Sequence, residues 1–142
     1  MNFDSPYRPI DLLRERFTRG IEVRVDKEQV GRGDTIEALV RIEKPGRFGL
    51  VEVGLVCTEA YAVEMSDSDG GSTTGTSWAT QYEVWFPLEA TAETHTVELR
   101  VPTDAPYSYE GGDLSFTWEV VARSERKLRV DARAACALWV RP

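Results

Sequence analysis

The sequence predicts an all-β fold, an immunoglobulin-like antiparallel β-sandwich. Apolar and polar residues alternate with a period of two through most of the chain, which places side chains alternately on the two faces of a strand. The alternating segments are short, turn residues separate them, and no internal repeat is present, as is typical of a sandwich or a barrel. With 142 residues, the chain fits a single domain built on one core.

The first two predicted strands lie on either side of a glycine-containing turn, Gly31-Arg32-Gly33-Asp34. Every second residue is apolar in residues 21–25 and again in residues 35–42. Each strand is therefore expected to bury one face and to expose the other. The residues predicted to be buried are Ile21, Val23, Val25, Ile36, Ala38, Val40 and Ile42.

A longer strand is predicted after the turn at residues 44–47, from Leu50 to about Ala62. Its length suggests a central position in a sheet. Its predicted buried face consists of Val51, Val53, Leu55 and Cys57. Residues 65–76 lose the apolar pattern and contain mostly Ser, Asp, Gly and Thr. Because such a segment cannot offset the entropy of ordering its backbone, we predict a mobile loop over residues 65–76.

The second half of the chain supplies the remaining strands. The strands at residues 81–86 and 94–101 are predicted to pair as a hairpin around residues 87–93. A charged turn at residues 124–127 separates the strands at residues 114–121 and 134–140. The predicted strands span residues 81–86, 94–101, 114–121 and 134–140.

Residues 1–20 are predicted to be an N-terminal extension to a single sandwich domain over residues 21–142. Between residues 9 and 19 the apolar residues fall at helical spacing, and the proline at position 9 suits a first helical turn. The short amphipathic helix predicted there has Ile10, Leu13 and Phe17 on one side and Arg14, Arg16 and Arg19 on the other. Two roles stay open, docking on a partner or capping one open end of the sandwich.

Composition narrows the classes of partner. The formal net charge of −7 and the sequence pI near 4.8 argue against nucleic acid and against anionic membrane surfaces, since both are bound by Lys and Arg. No apolar run reaches the length of a membrane span, so membrane insertion is not expected. Residues 1–6 have no basic flank followed by an apolar stretch, so a secretory signal is not expected either. The two cysteines, Cys57 and Cys136, are expected to be reduced, buried thiols rather than disulfide partners. A cytoplasmic location is expected.

The sequence offers little for catalysis, so we expect a protein that is not an enzyme and name no catalytic, cofactor-binding or metal-binding residue. The one histidine, His95, lies in an alternating strand with no neighbour that would complete a triad. Two cysteines and one histidine lack zinc spacing. Residues 65–76 fail as a calcium loop, because Met65 and Thr76 stand where acidic ligands are required.

Two features suggest an alternative function, an extracellular adhesive or carbohydrate-binding β-sandwich. Arg32-Gly33-Asp34 is the tripeptide that integrins bind, although the turn needs its Gly and Asp for geometry. The four tryptophans are Trp78, Trp85, Trp118 and Trp139. Exposure of Trp85 and Trp118 in one row, or a disulfide between the cysteines, would favour this alternative. These two tryptophans are expected instead to fill the core of the sandwich or to cover the outer face of a sheet, and Trp78 is expected to be exposed.

The segment at residues 101–112 is the most distinctive in the chain. Pro102 ends a strand because it has no amide proton, and Gly111-Gly112 releases the chain into the next strand. Tyr107 and Tyr109 are expected to pack beneath this crossing. The segment, with the strand at residues 114–120, resembles the proline-to-glycine corner of the arrestin-like family. The turn before Ile36 and the strand at residues 51–59 are similar to other motifs of the same family.

The resemblance covers roughly residues 20–141. It implies a two-sheet sandwich that acts as a non-enzymatic interaction module or scaffold, as in arrestins, the related retromer subunit and bacterial sporulation-control proteins. We therefore expect a bacterial protein that binds a protein partner of unknown identity, and a possible homodimer through edge strands. Glu22 and Arg24 stand where visual-type arrestins carry paired lysines, so recognition of phosphorylated receptors is not expected.

Overall fold

A computed structural model describes residues 20–66, 68–89, 91–124 and 132–142. The predicted helix between residues 9 and 19 and most of the predicted turn at residues 124–127 lie outside these ranges. The described chain forms, in order, strands β1 (Ile21–Val25), β2 (Gln29–Gly31) and β3 (Thr35–Ile42), a 3-10 turn (Pro45–Arg47), and strands β4 (Val51–Ser66), β5 (Ser72–Leu88), β6 (Thr94–Arg100), β7 (Tyr109–Glu110), β8 (Leu114–Ser124) and β9 (Ala132–Arg141).

The strands form two sheets, which confirms the predicted all-β sandwich. The small sheet has the antiparallel order β1-β3-β6. The large sheet has the order β2-β9-β8-β4-β5, with the short β7 paired to the start of β8. Among the described strands, every pairing is antiparallel except that between β2 and β9, which run parallel. This parallel pair is the one departure from the predicted antiparallel pattern.

The core lies between the sheets and follows the predicted alternation. In β3 every second residue is buried from Ile36 to Ile42, and the four residues predicted to face inward in β4 are fully buried. Trp118 of β8 is the largest of the fully buried side chains. Its ring centroid lies 5.7 Å from that of Tyr82. The period-two pattern therefore identifies the inner face correctly in both sheets.

One side of the sandwich is closed because the chain changes sheets between β1 and β2. β1 pairs with β3 in the small sheet, whereas β2 pairs with β9 in the large sheet. Two hydrogen bonds fix the change of direction: the amide of Asp26 donates to the carbonyl of Glu37 at 3.0 Å, and the amide of Glu37 donates to Asp26 Oδ1 at 2.9 Å. The chain thus crosses from one sheet to the other at this side.

The predicted hairpin between residues 81–86 and 94–101 is wrong. β5 pairs with β4 in the large sheet, and β6 pairs with β3 in the small sheet. The connection crosses between the sheets, and the amide of Ile42 donates to the carbonyl of Glu93 at 2.7 Å. Alternation identifies a strand and its buried face, but it does not select which neighbour the strand pairs with.

The predicted loop over residues 65–76 also needs correction. β4 and β5 remain paired as far as Ser66 and Ser72, so that only the short turn between them is left. The polar residues here pair through backbone hydrogen bonds, and such pairing does not require that either face of the strands be buried. Threonine also favours extended structure. Gly75 leaves room for the side chain of Met65, because a Cβ at Gly75 would collide with the Met65 methyl group. Loss of the apolar pattern therefore marks the end of the core, not the end of the strands.

Candidate functional site

The corner at residues 101–112 is a structural element held by buried hydrogen bonds. Ser108 is buried, and its hydroxyl oxygen accepts the amide of Val140 at 2.8 Å. The amide of Ser108 donates in turn to the carbonyl of Val140 at 2.8 Å. Beneath the corner, Trp118 Nε1 donates to the carbonyl of Pro106 at 2.9 Å. The corner therefore ties the β7–β8 side of the large sheet to the end of β9.

The expectation that Tyr107 and Tyr109 pack beneath the corner is wrong. Both are exposed, at 42% and 45%. Ser108 takes the inward position between them, and in an extended segment the neighbours of an inward residue point outward. Tyr107 lies instead beside Arg32, whose guanidinium carbon is 5.7 Å from the ring centroid.

The turn containing Arg32-Gly33-Asp34 uses its aspartate internally. Asp34 Oδ2 accepts the amide of Gly31 at 2.8 Å, and the amide of Asp34 donates to the carbonyl of Gly31 at 3.2 Å. The carboxylate thus closes its own turn, as Asp commonly does. The hydrogen bonds of the turn therefore give a structural reason for the aspartate of the tripeptide.

The tryptophans do not form the exposed row that would favour a carbohydrate-binding face. Trp118 is only 1% exposed. Trp85 is partly buried, and the guanidinium carbon of Arg123 lies 3.6 Å from its ring centroid. Trp78 is 64% exposed, as predicted, and Trp139 is 40% exposed. Two of the tryptophans therefore serve packing, and Trp78 is the most accessible aromatic side chain among the exposed large hydrophobic residues.

The two cysteines and the one histidine lie in strands of the sandwich, Cys57 in β4, His95 in β6 and Cys136 in β9. Neither cysteine forms a disulfide. Burial, with a smaller contribution from the nearby Glu59 carboxylate, raises the pKa of Cys57 to about 12. His95 Nε2 lies 3.0 Å from the carbonyl oxygen of Ala92. Within the described ranges there is no group of three or more His, Cys, Asp and Glu residues that could hold a metal ion.

The outer edge of β5 is the candidate interaction surface. β5 is the last strand of the large sheet, and no other described strand pairs with its outer side. Its 17 residues make it long for an edge strand, since typical strands have about 5 or 6 residues. Such an edge presents unpaired backbone amides and carbonyls that can accept another strand.

The two halves of β5 differ in how well that edge is protected. The half nearer β6 carries Glu83, Pro87 and a register irregularity beside Gln81. Gln81 Nε2 donates to Glu59 Oε2 at 2.7 Å, which holds the irregular strand against β4. Charges, prolines and bulges are the features that discourage strand addition. Residues 72–80 contain none of these, and we refer to them as the open edge.

Half of the open edge extends beyond the body of the sandwich. The last pair between β4 and β8 is Tyr61 with Leu114. The β4–β5 ladder continues from Ala62, opposite Thr76, to Ser66, opposite Ser72, as a two-stranded ribbon. The amide of Ala62 donates to the carbonyl of Asp113 at 2.9 Å, where the ribbon leaves β8. An incoming strand would therefore meet backbone groups that project past the rest of the large sheet.

The open edge was not predicted from the sequence, because residues 72–76 fall within the predicted loop and residues 77–80 precede the next predicted strand at residues 81–86. Their strand character could have been inferred from the threonines at positions 73, 74, 76 and 80, a residue type that is enriched in strands. The exposed tryptophan in the same segment was predicted correctly.

Within the described residues, no helix is long and apolar enough to cross a membrane. No family model and no curated protein matches the chain.

Among solved structures, the chain is similar to the crystal structure of Spo0M, a sporulation control protein from Bacillus subtilis. The TM-score is 0.52 and the sequence identity is 14%, over 87% of this chain and 50% of that chain. The chain thus spans about half the length of Spo0M. At this identity the likeness concerns the fold, which is an arrestin-like β-sandwich.

Proposed function

We propose that this chain is a non-enzymatic interaction module or scaffold of the arrestin-like type, which acts in a bacterial cytoplasm and binds a protein partner by strand addition. The observation that carries this proposal is the open edge at residues 72–80. It combines unpaired backbone groups with the absence of charge and proline. Strand addition to such an edge is a recurring mode of protein recognition.

Backbone pairing supplies affinity in this mode, and alternate side chains supply specificity. Trp78 is suited to the second role, because it lies in the open edge and is 64% exposed. Exposed tryptophans are enriched among residues that dominate binding energy at protein interfaces. A partner strand with an apolar side chain opposite Trp78 would bury it.

The charge of the chain supports a protein partner rather than a nucleic acid. A net charge of −7 repels phosphate backbones, and no phosphate-binding cluster of Lys and Arg accompanies the open edge. Because the edge itself carries no charge, no charged side chain of the edge would lie opposite a like charge of an added strand.

The test compares the chain with two lysine variants. Thr76→Lys places a charge in the middle of the open edge, and Thr96→Lys places the same charge on the exposed part of β6, the outer strand of the small sheet. Tagged versions of all three are used to retain partners from the native host. The affinity of each identified partner is then measured with purified proteins.

We expect Thr76→Lys to weaken the affinity at least about tenfold, because lysine discourages strand addition, and Thr96→Lys to leave it within about twofold. If no protein, including the chain itself, binds to the wild type, the proposal is wrong. It is also wrong if binding is equally strong in Thr76→Lys.

A further inference from the structure

We propose that the strand added to the open edge comes from a second copy of this chain. Two copies would pair antiparallel through residues 72–80 about a two-fold axis, and their large sheets would become one continuous sheet. This inference rests on the proposed function and names the partner for the same surface.

The distribution of charge selects this edge for self-association. Each copy carries a net charge of −7, so two copies repel each other at most surfaces. Residues 72–80 carry no charged side chain, so pairing them brings no like charges together across the new ladder. The other half of β5, by contrast, carries Glu83. Like charges directly opposite each other destabilise a strand pair.

The side chains of the open edge match those of its own reversed copy. In antiparallel pairing about Thr76, that residue lies opposite its symmetry mate, and Trp78 lies opposite Thr74 of the second copy. Opposite residues share a sheet face, where the side chains of a pair are in contact. Trp78 lies on the outer face with Ala60, its partner in β4. The pairing would therefore cover the exposed indole of Trp78 in both copies.

The geometry of the ribbon leaves space for the second copy. The paired body of each large sheet ends at Tyr61 of β4, whereas the ribbon continues to Ser66. With the axis at Thr76, which lies in the ribbon, the two antiparallel copies place their bodies at opposite ends of the shared ladder. Each ribbon then lies beside residues 77–80 of the other copy, where β4 is itself paired with β8.

The expected affinity is modest. A strand pair of this length buries less than the roughly 800 Å² per partner of a standard interface, so a reversible dimer is expected with a dissociation constant on the order of 10 μM. With a dissociation constant of this size, the fraction of dimer changes over protein concentrations that sedimentation equilibrium can measure.

Sedimentation equilibrium of the purified chain tests the inference. The wild-type mass is expected to rise with concentration from 16.0 kDa towards twice that value. Thr76→Lys places two lysines opposite each other at the axis and should raise the dissociation constant at least about tenfold. Thr96→Lys, the matched control, should change it less than about twofold. Circular dichroism and the unfolding midpoint establish that both variants fold.

A cysteine pair supplies a second measurement. Opposite residues in an antiparallel ladder have Cα atoms about 4.5 to 5.5 Å apart, which a disulfide can bridge. Thr76→Cys should therefore form a covalent dimer on mild oxidation, whereas Thr96→Cys should not. Both variants retain the two native cysteines, so any contribution from these is common to both.

The inference is overturned if the wild type stays monomeric up to about 1 mM, or if Thr76→Lys dimerises as strongly as the wild type. A monomer that binds a different protein in a manner sensitive to Thr76→Lys would overturn this inference and leave the proposed function standing. The absence of any binding partner, a second copy included, would remove both.

Discussion

Gly54 is the residue at which one added methyl group should cost most. A Cβ at this position would lie 2.5 Å from Trp85 Cε3 and 2.6 Å from the carbonyl oxygen of Val84. This carbonyl is part of the β5 backbone, so it cannot rotate out of the way as the end of a flexible side chain could. Gly54→Ala should therefore destabilise the protein by about 1 to 3 kcal/mol.

Urea unfolding of Gly54→Ala and Gly46→Ala measures this effect. A Cβ at Gly46 would meet nothing within 4 Å, so that substitution should change the free energy of unfolding by less than about 0.5 kcal/mol. Equal destabilisation by the two substitutions would mean that Trp85 does not lie across Gly54.

Cys57 should make stability depend on pH above its ordinary titration range. Its thiol titrates at 9.0 in the unfolded chain and at about 12 when folded. Between these values the unfolded state loses the proton while the folded state keeps it, so stability falls as pH rises above 9. At pH 10 the loss should be about 1.4 kcal/mol relative to neutral pH.

The measurement compares wild type with Cys57→Ala by urea unfolding at pH 7 and pH 10. The alanine variant is less stable at pH 7 because it leaves a cavity. Its deficit should shrink by about 1.4 kcal/mol at pH 10, since it has no thiol to titrate. A constant deficit would contradict the raised pKa.

At the scale of elements, the corner depends on Ser108. Ser108→Ala would leave the amide of Val140 without the hydroxyl that now accepts it at 2.8 Å in a buried position. An unsatisfied buried donor costs about 1 to 3 kcal/mol. Amide exchange measured by NMR should show faster exchange of Val140 in the variant, along with a lower unfolding midpoint.

Ser77→Ala is the matched control, because Ser77 lies in β5, which β8 and β4 separate from β9 in the large sheet. It should leave the exchange of Val140 unchanged. If Ser108→Ala also left it unchanged, the Ser108 hydroxyl would not be what satisfies that amide.

How far the elements can be predicted depends on whether they touch the core. The inner faces of β3 and β4 were predicted residue by residue, because burial imposes a period of two on residues such as Ile36 and Leu55. The distal half of the β4–β5 hairpin was missed, because nothing buries its side chains and its sequence therefore lacks that period. The neighbouring strands of β5 and β6 were predicted wrongly, because the alternation of apolar residues is the same whichever strand each of them pairs with.

The candidate site shows the same division. Trp78 was predicted to be exposed because it lies beside a polar segment. The open edge around it was not predicted, because the apolar pattern does not show which strands lack a neighbour. An edge is defined by a missing neighbour, and that is a property of topology. The register of β4 against β8, which ends at Tyr61, determines that the ribbon projects.

At the scale of the whole molecule, the two sides of the sandwich differ. The change of sheets between β1 and β2 closes one side, where β1 packs against β9. The other side ends in β5 and β6, which pair with separate sheets, and Phe86 there remains 41% exposed. In the proposed dimer a second copy would extend the large sheet on this side at β5, whose open edge carries no charged side chain.

Net charge then sets how dimerisation should respond to salt. Two copies at −7 each repel over a distance that shrinks from about 30 Å at 10 mM salt to about 8 Å at 150 mM. Because the open edge itself is uncharged, salt should weaken the repulsion without weakening the pairing. Raising sodium chloride from about 20 mM to 300 mM should therefore lower the dissociation constant several-fold, as measured by sedimentation equilibrium. A dimer held by ion pairs would respond in the opposite direction, so dissociation at high salt would show that the two copies meet at a charged surface instead of at residues 72–80.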